Sequence, residues 1–595
     1  MQPGRLWRTV RHLPPEQWVW RAICRGHRLV MRFDTGRARR RIDAAAQMLP
    51  LPDATGDRLR AIATHVLRLQ EAVHGAHLDG IEAGRFTLLN REYDFGGIDR
   101  VAWRGAFDEG NNPLRRMTLA YMGWAVPLLA RGTGDSLTTV ARLLASLEAQ
   151  NPFTAGGVFR DVWNAYTASH RLINLLAGLA LHRAAGGVPA AEHERAILSH
   201  VRFCAAFVRA NLERDLQYNH LMKNYVALAV YAASLDRVPP PLAMLREAVP
   251  RSIAQNVLPD GGHAERSPMY HALSMVDVAM LRASSLFGGV WNHLLDDAGA
   301  RMATALAAMT HPDGDIALFN DAWLGEAPPA RTLIGDSKAP ATARLPVTGY
   351  VRIGEGGDAA ILDCGPCGPD DNPGHAHADF LSVEVSVGGR RLIVDPGVPT
   401  YTAGELRDIS RSARSHNAPS IDDIEPIEFW KSFRVGRRGT AAEITDARLG
   451  GVAPLWCAGY HTGYDHVGVH IRRWVGLWPG VGLLVCDVCV GRQRQLETAR
   501  FLVDGAWAAG AGDTGTWFER ENRRVIARSL AGRLNGPVPA RHWPRFGVEA
   551  PAHEFALFPE DTGRYRRGAL WLGWADVEPP GRSVVVGLLD RLADV

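Results

Sequence analysis

Three short stretches of this sequence carry residues whose types and spacing suit chemistry. Residues 374–401, GHAHADFLSVEVSVGGRRLIVDPGVPTY, place His375 and His377 two positions apart and end a hairpin on Asp395. In an extended segment side chains at i and i+2 point to one side, so both imidazoles can address one site. Two imidazoles and a carboxylate are donors that suit Zn²⁺. Pairing across Gly388-Gly389 sets Asp395 opposite Ser382, so a straight strand would hold it roughly 16 Å from His377 at about 3.3 Å per residue. The chain at 378–381 must therefore bend or bulge if the two are to share a metal. A second stretch, DGGHAERSPMYH at 260–271, reads as a helix start, with Ser267 as N-cap and Pro268 as first helical residue. Tyr270 then lies in the first turn, where the helix dipole favours a phenolate and eases proton loss from a group whose ordinary pKa is about 10. The plain alternative is a buried tyrosine with a bonded hydroxyl. In the third stretch Tyr218-Asn219-His220 opens a helix, with Asn219 and Lys223 on one face; helix capping is its plain alternative.

These residues need two kinds of scaffold. Between 55 and 330 apolar residues recur at three- and four-residue spacing, predicting helices over 59–74, 114–129, 137–147, 170–182, 192–210, 221–234, 269–286 and 300–309. A run this long, joined by Gly- and Pro-rich connections, suggests an α-bundle or an α/α toroid. After Pro340 short alternating runs at 349–353, 359–364, 467–477 and 481–490 predict an all-β domain, most simply a sandwich. The alternation Leu381, Val383, Val385, Val387 reads as a half-buried strand running from Phe380, and residues 569–589 also read as strands. The expected organisation is a helical extension over 1–54, a toroid over 55–335 and a β-sandwich over 345–595.

Composition narrows the function without naming it. The 595 residues carry a net charge of +4, compatible with a polyanionic ligand. Basic charge is almost all arginine, with lysine only at 223, 338 and 431; arginine forks onto carboxylates and sulfates better than lysine does. Seven cysteines do not make a disulfide scaffold. Cys364/Cys367 and Cys486/Cys489 have CxxC spacing, but the second pair lies in an apolar strand where i and i+3 face opposite sides, which argues against a four-cysteine metal site. Charges interrupt residues 1–33, so no secretory signal is readable, and no apolar run reaches membrane-helix length. A cytoplasmic protein is expected, without an integral membrane segment and without a nucleic-acid partner. Trp7, Trp18 and Trp20 among arginines suit an interfacial helix or, as we expect, a docked surface helix.

The motifs in order carry a family resemblance. DGGHAERSPMYH at 260–271, GHAHADFLSVEVSVGGRRLIVDPG at 374–397, RSARSHNAPSIDD through FWKSFRVGRRG at 411–439 and, more weakly, WNAYTASHR at 163–171 and YNH at 218–220 resemble the heparinase II/III-like polysaccharide lyases, a group with related alginate and oligosaccharide lyases. The resemblance covers most of the chain after residue 85. It implies an N-terminal α/α toroid, an incomplete helical barrel, joined to a C-terminal antiparallel β-sandwich, and β-elimination on a uronate-containing acidic polysaccharide or oligosaccharide. It assigns Asn219 and His220 to the uronate carboxylate, and Tyr270 as acid and as one candidate base. His375 is the other candidate base. Tyr166, Arg171, Glu265 and Arg266 become groove residues, and His377, Asp395 and His416 ligands of a structural zinc; no organic cofactor is implied. Lyases of this kind are commonly exported to the periplasm. Two other readings remain open: an acidic-glycan-binding or exopolysaccharide-assembly protein on the same fold, and a zinc hydrolase. The latter rests on the similarity of His375-Ala-His377-Ala-Asp379 to the HxHxDH run of metallo-β-lactamases, in which Phe380 replaces the last histidine.

Overall fold

The computed structural model describes residues 3–595 other than 108–109, 111, 189, 336–338, 422, 492–496 and 513–514. The N-terminal half is an α/α toroid. Its inner ring consists of helices Asp57–His74, Ala125–Ala130, Ala165–Ala184, Tyr218–Ala233 and Pro268–Ser284, and it closes where the last packs against the first. Outside it run Gly134–Gln150, Ala191–Ala210, Leu245–Asn256 and Gly289–Ala308, so four outer helices back five inner ones and the double layer is incomplete. The inner helices are buried on almost every side, which is why their apolar residues form near-continuous runs such as Tyr225–Ala233 rather than a stripe.

The helix expected over 114–129 is two helices, Leu114–Tyr121 and Ala125–Ala130. Met122 takes a left-handed conformation, φ 56°, and a Cβ on Gly123 would stand 2.3 Å from Gln70 Oε1. The break falls at left-handed Met122, and the close approach of Asp57–His74 favours a small residue at 123. Helix Leu245–Asn256, absent from the sequence expectation, contains Pro250.

The last helix of the toroid half is Ala330–Ile334, and the first strand of the sandwich is Thr342–Leu345. Two antiparallel nine-stranded sheets form the sandwich. One contains the hairpin Val383–Val387 and Arg390–Ile393; the other is centred on Val469–Trp478, Gly482–Gly491 and Arg566–Gly573. Val383, Val385 and Val387 face the core between the sheets with Val475, Val485, Phe501 and Phe555.

The strand after the histidines differs from expectation in two ways. It begins at Val383, because Leu381 is left-handed (φ 61°) and Ser382 N–H donates to the Asp379 carbonyl, 2.9 Å, closing a turn. It is also fully buried rather than half-buried. Its polar face lies against the toroid, where His311 reaches Ser386 Oγ at 2.8 Å and Glu384 Oε2 at 3.0 Å. The Gly388-Gly389 turn is present, with both residues at positive φ. Register slips beyond it, since Val387 pairs with Arg390 and Val385 with Ile393, leaving Leu392 as a bulge; Asp395 is outside the ladder, not opposite Ser382.

Residues 569–589 do not continue as strands. Arg566–Gly573 is a strand, but Arg582–Asp594 is a helix whose Val585, Leu588, Leu589 and Leu592, at 3–4 residue spacing, cover Trp474, Leu484, Cys486 and Trp571. Cys486 faces this outer core and Cys489 the core between the sheets, so the second CxxC pair is split across one strand. No helix among the described residues is long and apolar enough to cross a membrane.

The C-terminal helix supplies a stability prediction. Leu589→Ala removes a fully buried side chain and is expected to destabilise the sandwich by about 2–5 kcal/mol, read as a lower urea midpoint with unchanged m. A change below about 1 kcal/mol would mean the helix does not hold the sheet's outer face.

Candidate functional site

The site lies in the seam between toroid and sandwich, and its anchor is Asp321, in a loop of the toroid after the last outer helix. This carboxylate is fully buried. Arg407, from helix Glu405–Arg411, forks onto it with Nη1 2.5 Å from Oδ1 and Nη2 2.8 Å from Oδ2. Both histidines of the HxH motif reach the same carboxylate, His375 Nδ1 to Oδ2 at 3.0 Å and His377 Nε2 to Oδ1 at 2.9 Å. The histidines lie in a loop rather than on a strand, yet the expectation that they address one place is met by this shared acceptor. Burial opposes the Asp321 charge, but Arg407 and the two imidazoles outweigh it and hold the carboxyl well below its ordinary pKa. An ionised carboxylate only accepts, so His375 Nδ1 and His377 Nε2 must carry the protons. His375 Nε2 is left with its lone pair, on a side chain still 14% exposed.

Asn320 fastens the same loop. In a left-handed conformation (φ 59°) that asparagine tolerates, it accepts the His377 N–H at 3.0 Å and donates its own N–H to Asp379 at 2.7 Å. Its amide also donates to the Arg266 carbonyl at 3.2 Å and the Tyr350 hydroxyl at 3.1 Å.

Tyr270 meets His375 across the seam. Ser267 caps helix Pro268–Ser284, accepting the Tyr270 N–H at 3.3 Å, and this seats the tyrosine in the first turn. Its ring centroid is 4.2 Å from that of His375, and its hydroxyl is 3.4 Å from that of Tyr401. The expected easing of proton loss does not occur: burial pushes the Tyr270 pKa up, the Tyr401 hydrogen bond opposes this, and the Asp321 and Glu265 carboxylates push it further up. Tyr270 is thus a neutral hydroxyl and a proton donor. The helix dipole acts at a terminus whose solvent has been removed, and desolvation exceeds it.

Tyr166, Asn219, Tyr270 and Tyr401 line one cavity of about 110 Å³ at the mouth of the toroid. Asn219 Nδ2 donates to Glu265 at 2.5 Å while its Oδ1 is buried without a partner. The His220 ring lies against Tyr166, tilted by 36° with centroids 4.4 Å apart, and is 3.4 Å from Glu213. Burial opposes its charge, but the Glu213 carboxylate outweighs that and raises the pKa, favouring imidazolium.

Of the residues named from the sequence for catalysis or the groove, Arg171, His220, Glu265, Arg266 and His375 do not line this cavity. Arg171 is fully buried behind it, bonded to His200 and to the Ala120 and Val162 carbonyls. Arg266 is spent on the Thr348, Ala264 and Val347 carbonyls, clasping toroid to sandwich. Glu265, 2% exposed, acts through Asn219 rather than at the surface. Asp321, Asn320, Arg407, Tyr401 and Glu213 were not among the sequence candidates. The one signal available was a polar Asn-Asp pair inside the apolar run 316–324.

Behind His375, His377, Asp395 and His416 each offer a ligand atom within 4.8 Å of the others. The turn at 379–382 folds the chain back and removes the separation a straight strand would impose. His416 Nδ1 is 2.8 Å from Asp395 Oδ2, leaving Nε2 over; that atom and His377 Nδ1 are both buried without a hydrogen-bond partner. Burial keeps the His377 ring neutral, its pKa down at about 3. Burial raises the pKa of the neighbouring Asp363 and Asp379, with Asp379 adding to the rise at Asp363 and His416 opposing it at Asp379. Two bare imidazole nitrogens beside a carboxylate fit zinc. Bound there, zinc would tie the histidine loop to the strand ends at Asp395 and His416, a structural role apart from the groups around Tyr270.

A sequence profile of the heparinase II/III-like C-terminal domain matches residues 337–534. No curated protein matches by sequence. Among solved structures, one described as heparinase III has a TM-score of 0.63 at 15% identity, covering 89% of this chain and 86% of that one. A heparan sulfate lyase, HepC from Pedobacter heparinus, gives 0.52 at 16% identity over 86% and 84% of the two chains. At these identities the likeness establishes a shared fold.

The purified chain is expected to hold about one zinc per molecule. His416→Ala should abolish it and lower the thermal midpoint, as should chelation. A chain that takes up no zinc on dialysis, or a His416→Ala variant with unchanged zinc content, would contradict the assignment.

Proposed function

We propose that this chain, which carries a heparinase II/III-like C-terminal domain over residues 337–534, is a polysaccharide lyase that cleaves a uronate-containing acidic glycan by β-elimination. The observation that carries the reading is the facing pair of Tyr270 and His375, with His375 held in one tautomer by Asp321. The elimination needs three things: a base for the proton at C5, neutralisation of the uronate carboxylate so that the carbanion is tolerable, and an acid for the leaving oxygen.

His375 Nε2, its lone pair directed away from Asp321, takes the C5 proton. The electron pair becomes the C4–C5 double bond, the C4–O bond breaks, and Tyr270 donates its hydroxyl proton to the departing oxygen. The imidazolium so formed is stabilised by the ionised Asp321 behind it. Asn219, kept in register by Glu265, and His220, kept cationic by Glu213, handle the substrate carboxylate. The step leaves His375 protonated and Tyr270 as a phenolate to which the Tyr401 hydroxyl, 3.4 Å away, can donate a hydrogen bond; loss of one proton from His375 to solvent and uptake of one by Tyr270 resets the pair. The net products are one unsaturated uronate end and one new reducing end. His377, Asp395 and His416, which would hold a zinc, take no part in proton transfer. That two structures of the same fold are described as heparinase III and heparan sulfate lyase supports an acidic glycosaminoglycan as the substrate class.

The test is ultraviolet absorbance of the conjugated product across a panel of uronate polymers, including heparan sulfate, hyaluronan, chondroitin, alginate and polyglucuronate. We expect a rise on at least one, lowered about 10²–10⁴-fold in Tyr270→Phe with the fold and zinc content retained. A glycan that binds tightly without any rise would instead favour a binding or assembly role, and full turnover in Tyr270→Phe would remove Tyr270 from the mechanism.

A further inference from the structure

The helix Pro15–Phe33 is docked along one side and carries an apolar arc that the fold leaves exposed. Its inner side is docked: Gln17 donates to Asp371 at 3.1 Å, Arg28 forks onto Asp215 at 2.5 Å and 3.4 Å, and Met31 is buried. On the outer side Trp18, Val19, Ile23, Leu29, Val30 and Phe33 are exposed, Phe33 by 88%, Val30 by 57% and Trp18 by 49%. At about 100° per residue these six fall on one arc of about 140°, with Ile23 at the edge where the helix borders a cavity shared with Trp163 and Phe207. Arg25 and Arg32, both exposed, line one edge of that arc. In the preceding helix, Pro3–Val10, Trp7 is 65% exposed as well.

Charge is segregated in the same place. Residues 1–50 hold eleven arginines and three acidic residues, while the whole chain is only +4, so the rest of the molecule is net negative. An apolar arc edged by arginine, on a helix pinned along its opposite side, fits a surface that is apolar inside and anionic at its rim. A second copy of this chain would bring the same positive segment against itself. An acidic glycan would satisfy the arginines and leave six large apolar side chains in water.

We propose that helix Pro15–Phe33 is an interfacial anchor that seats the protein on an anionic lipid bilayer, with the apolar arc below the headgroups and the arginines at phosphate level. The anchor is monotopic, consistent with the helix's charges and with no described helix being able to span a membrane. It does not rest on the lyase reading, since none of its residues belongs to the seam.

Flotation of the full chain with phosphatidylglycerol–phosphatidylcholine vesicles, compared with pure phosphatidylcholine vesicles, tests it. We expect roughly tenfold or greater preference for the anionic vesicles, weakened by salt. A Leu29→Ser/Phe33→Ser variant, altered only at exposed positions, should lose binding about tenfold or more while keeping its thermal midpoint and zinc content. An Arg25→Glu/Arg32→Glu variant should lose the preference for anionic lipid. Absence of flotation at low salt would overturn the proposal. So would a wild-type dimer in solution that Leu29→Ser/Phe33→Ser converts to monomer, or retention on immobilised heparin without any vesicle binding.

Discussion

A carboxylate removed from water is costly unless its partners replace the lost solvation, and the seam of this molecule is arranged around one such group. Asp321 accepts from Arg407, His375 and His377 together, so its charge is satisfied on three sides and persists in a fully buried position. Because it stays ionised, it dictates which nitrogen of each imidazole carries the proton. One residue of the toroid thereby sets the chemistry of two residues of the sandwich.

Two different sites follow from that single constraint. His375, with its bare nitrogen on the exposed side, meets Tyr270 where the toroid opens. His377, with its bare nitrogen on the buried side, meets His416 and Asp395. The remaining interdomain contacts hold the geometry in place: Arg266 on the carbonyls at 347 and 348, and His311 on Glu384 and Ser386. Tyr270 shows the same electrostatics from the other direction. A helix N-terminus would favour its anion, but burial and nearby carboxylates favour the neutral phenol, and a neutral phenol is what an acid needs.

Much of this was legible in the sequence because periodicity and capping are local. The toroid's helices, the sandwich, the Ser267-Pro268 start that seats Tyr270 and the Gly388-Gly389 turn follow from neighbours within a few residues. That His377, Asp395 and His416 come together was expected from the order of motifs. What escaped depends on partners far along the chain. Asp321 lies 54 residues from His375 and 86 from Arg407, and nothing local marks an aspartate as the acceptor for both. Arg171 and Arg266 read as groove residues because arginine suits anions, whereas tertiary packing turned both onto backbone carbonyls. The break falls at left-handed Met122, which no local pattern marks, and the C-terminal helix was hidden by valines that suit a strand equally well.

The most direct test of this account is the turnover of Asp321→Asn on whichever glycan the native chain cleaves, measured as the pH dependence of kcat/KM with the thermal midpoint recorded alongside. The asparagine keeps the shape, removes the charge and can donate to His375 Nδ1, so the imidazole is offered the wrong tautomer. The account predicts a folded variant whose kcat/KM falls on the order of 10³-fold across the pH range. A folded variant within about threefold of the native rate would contradict it, since His375 would then work without the carboxylate that is argued to orient it.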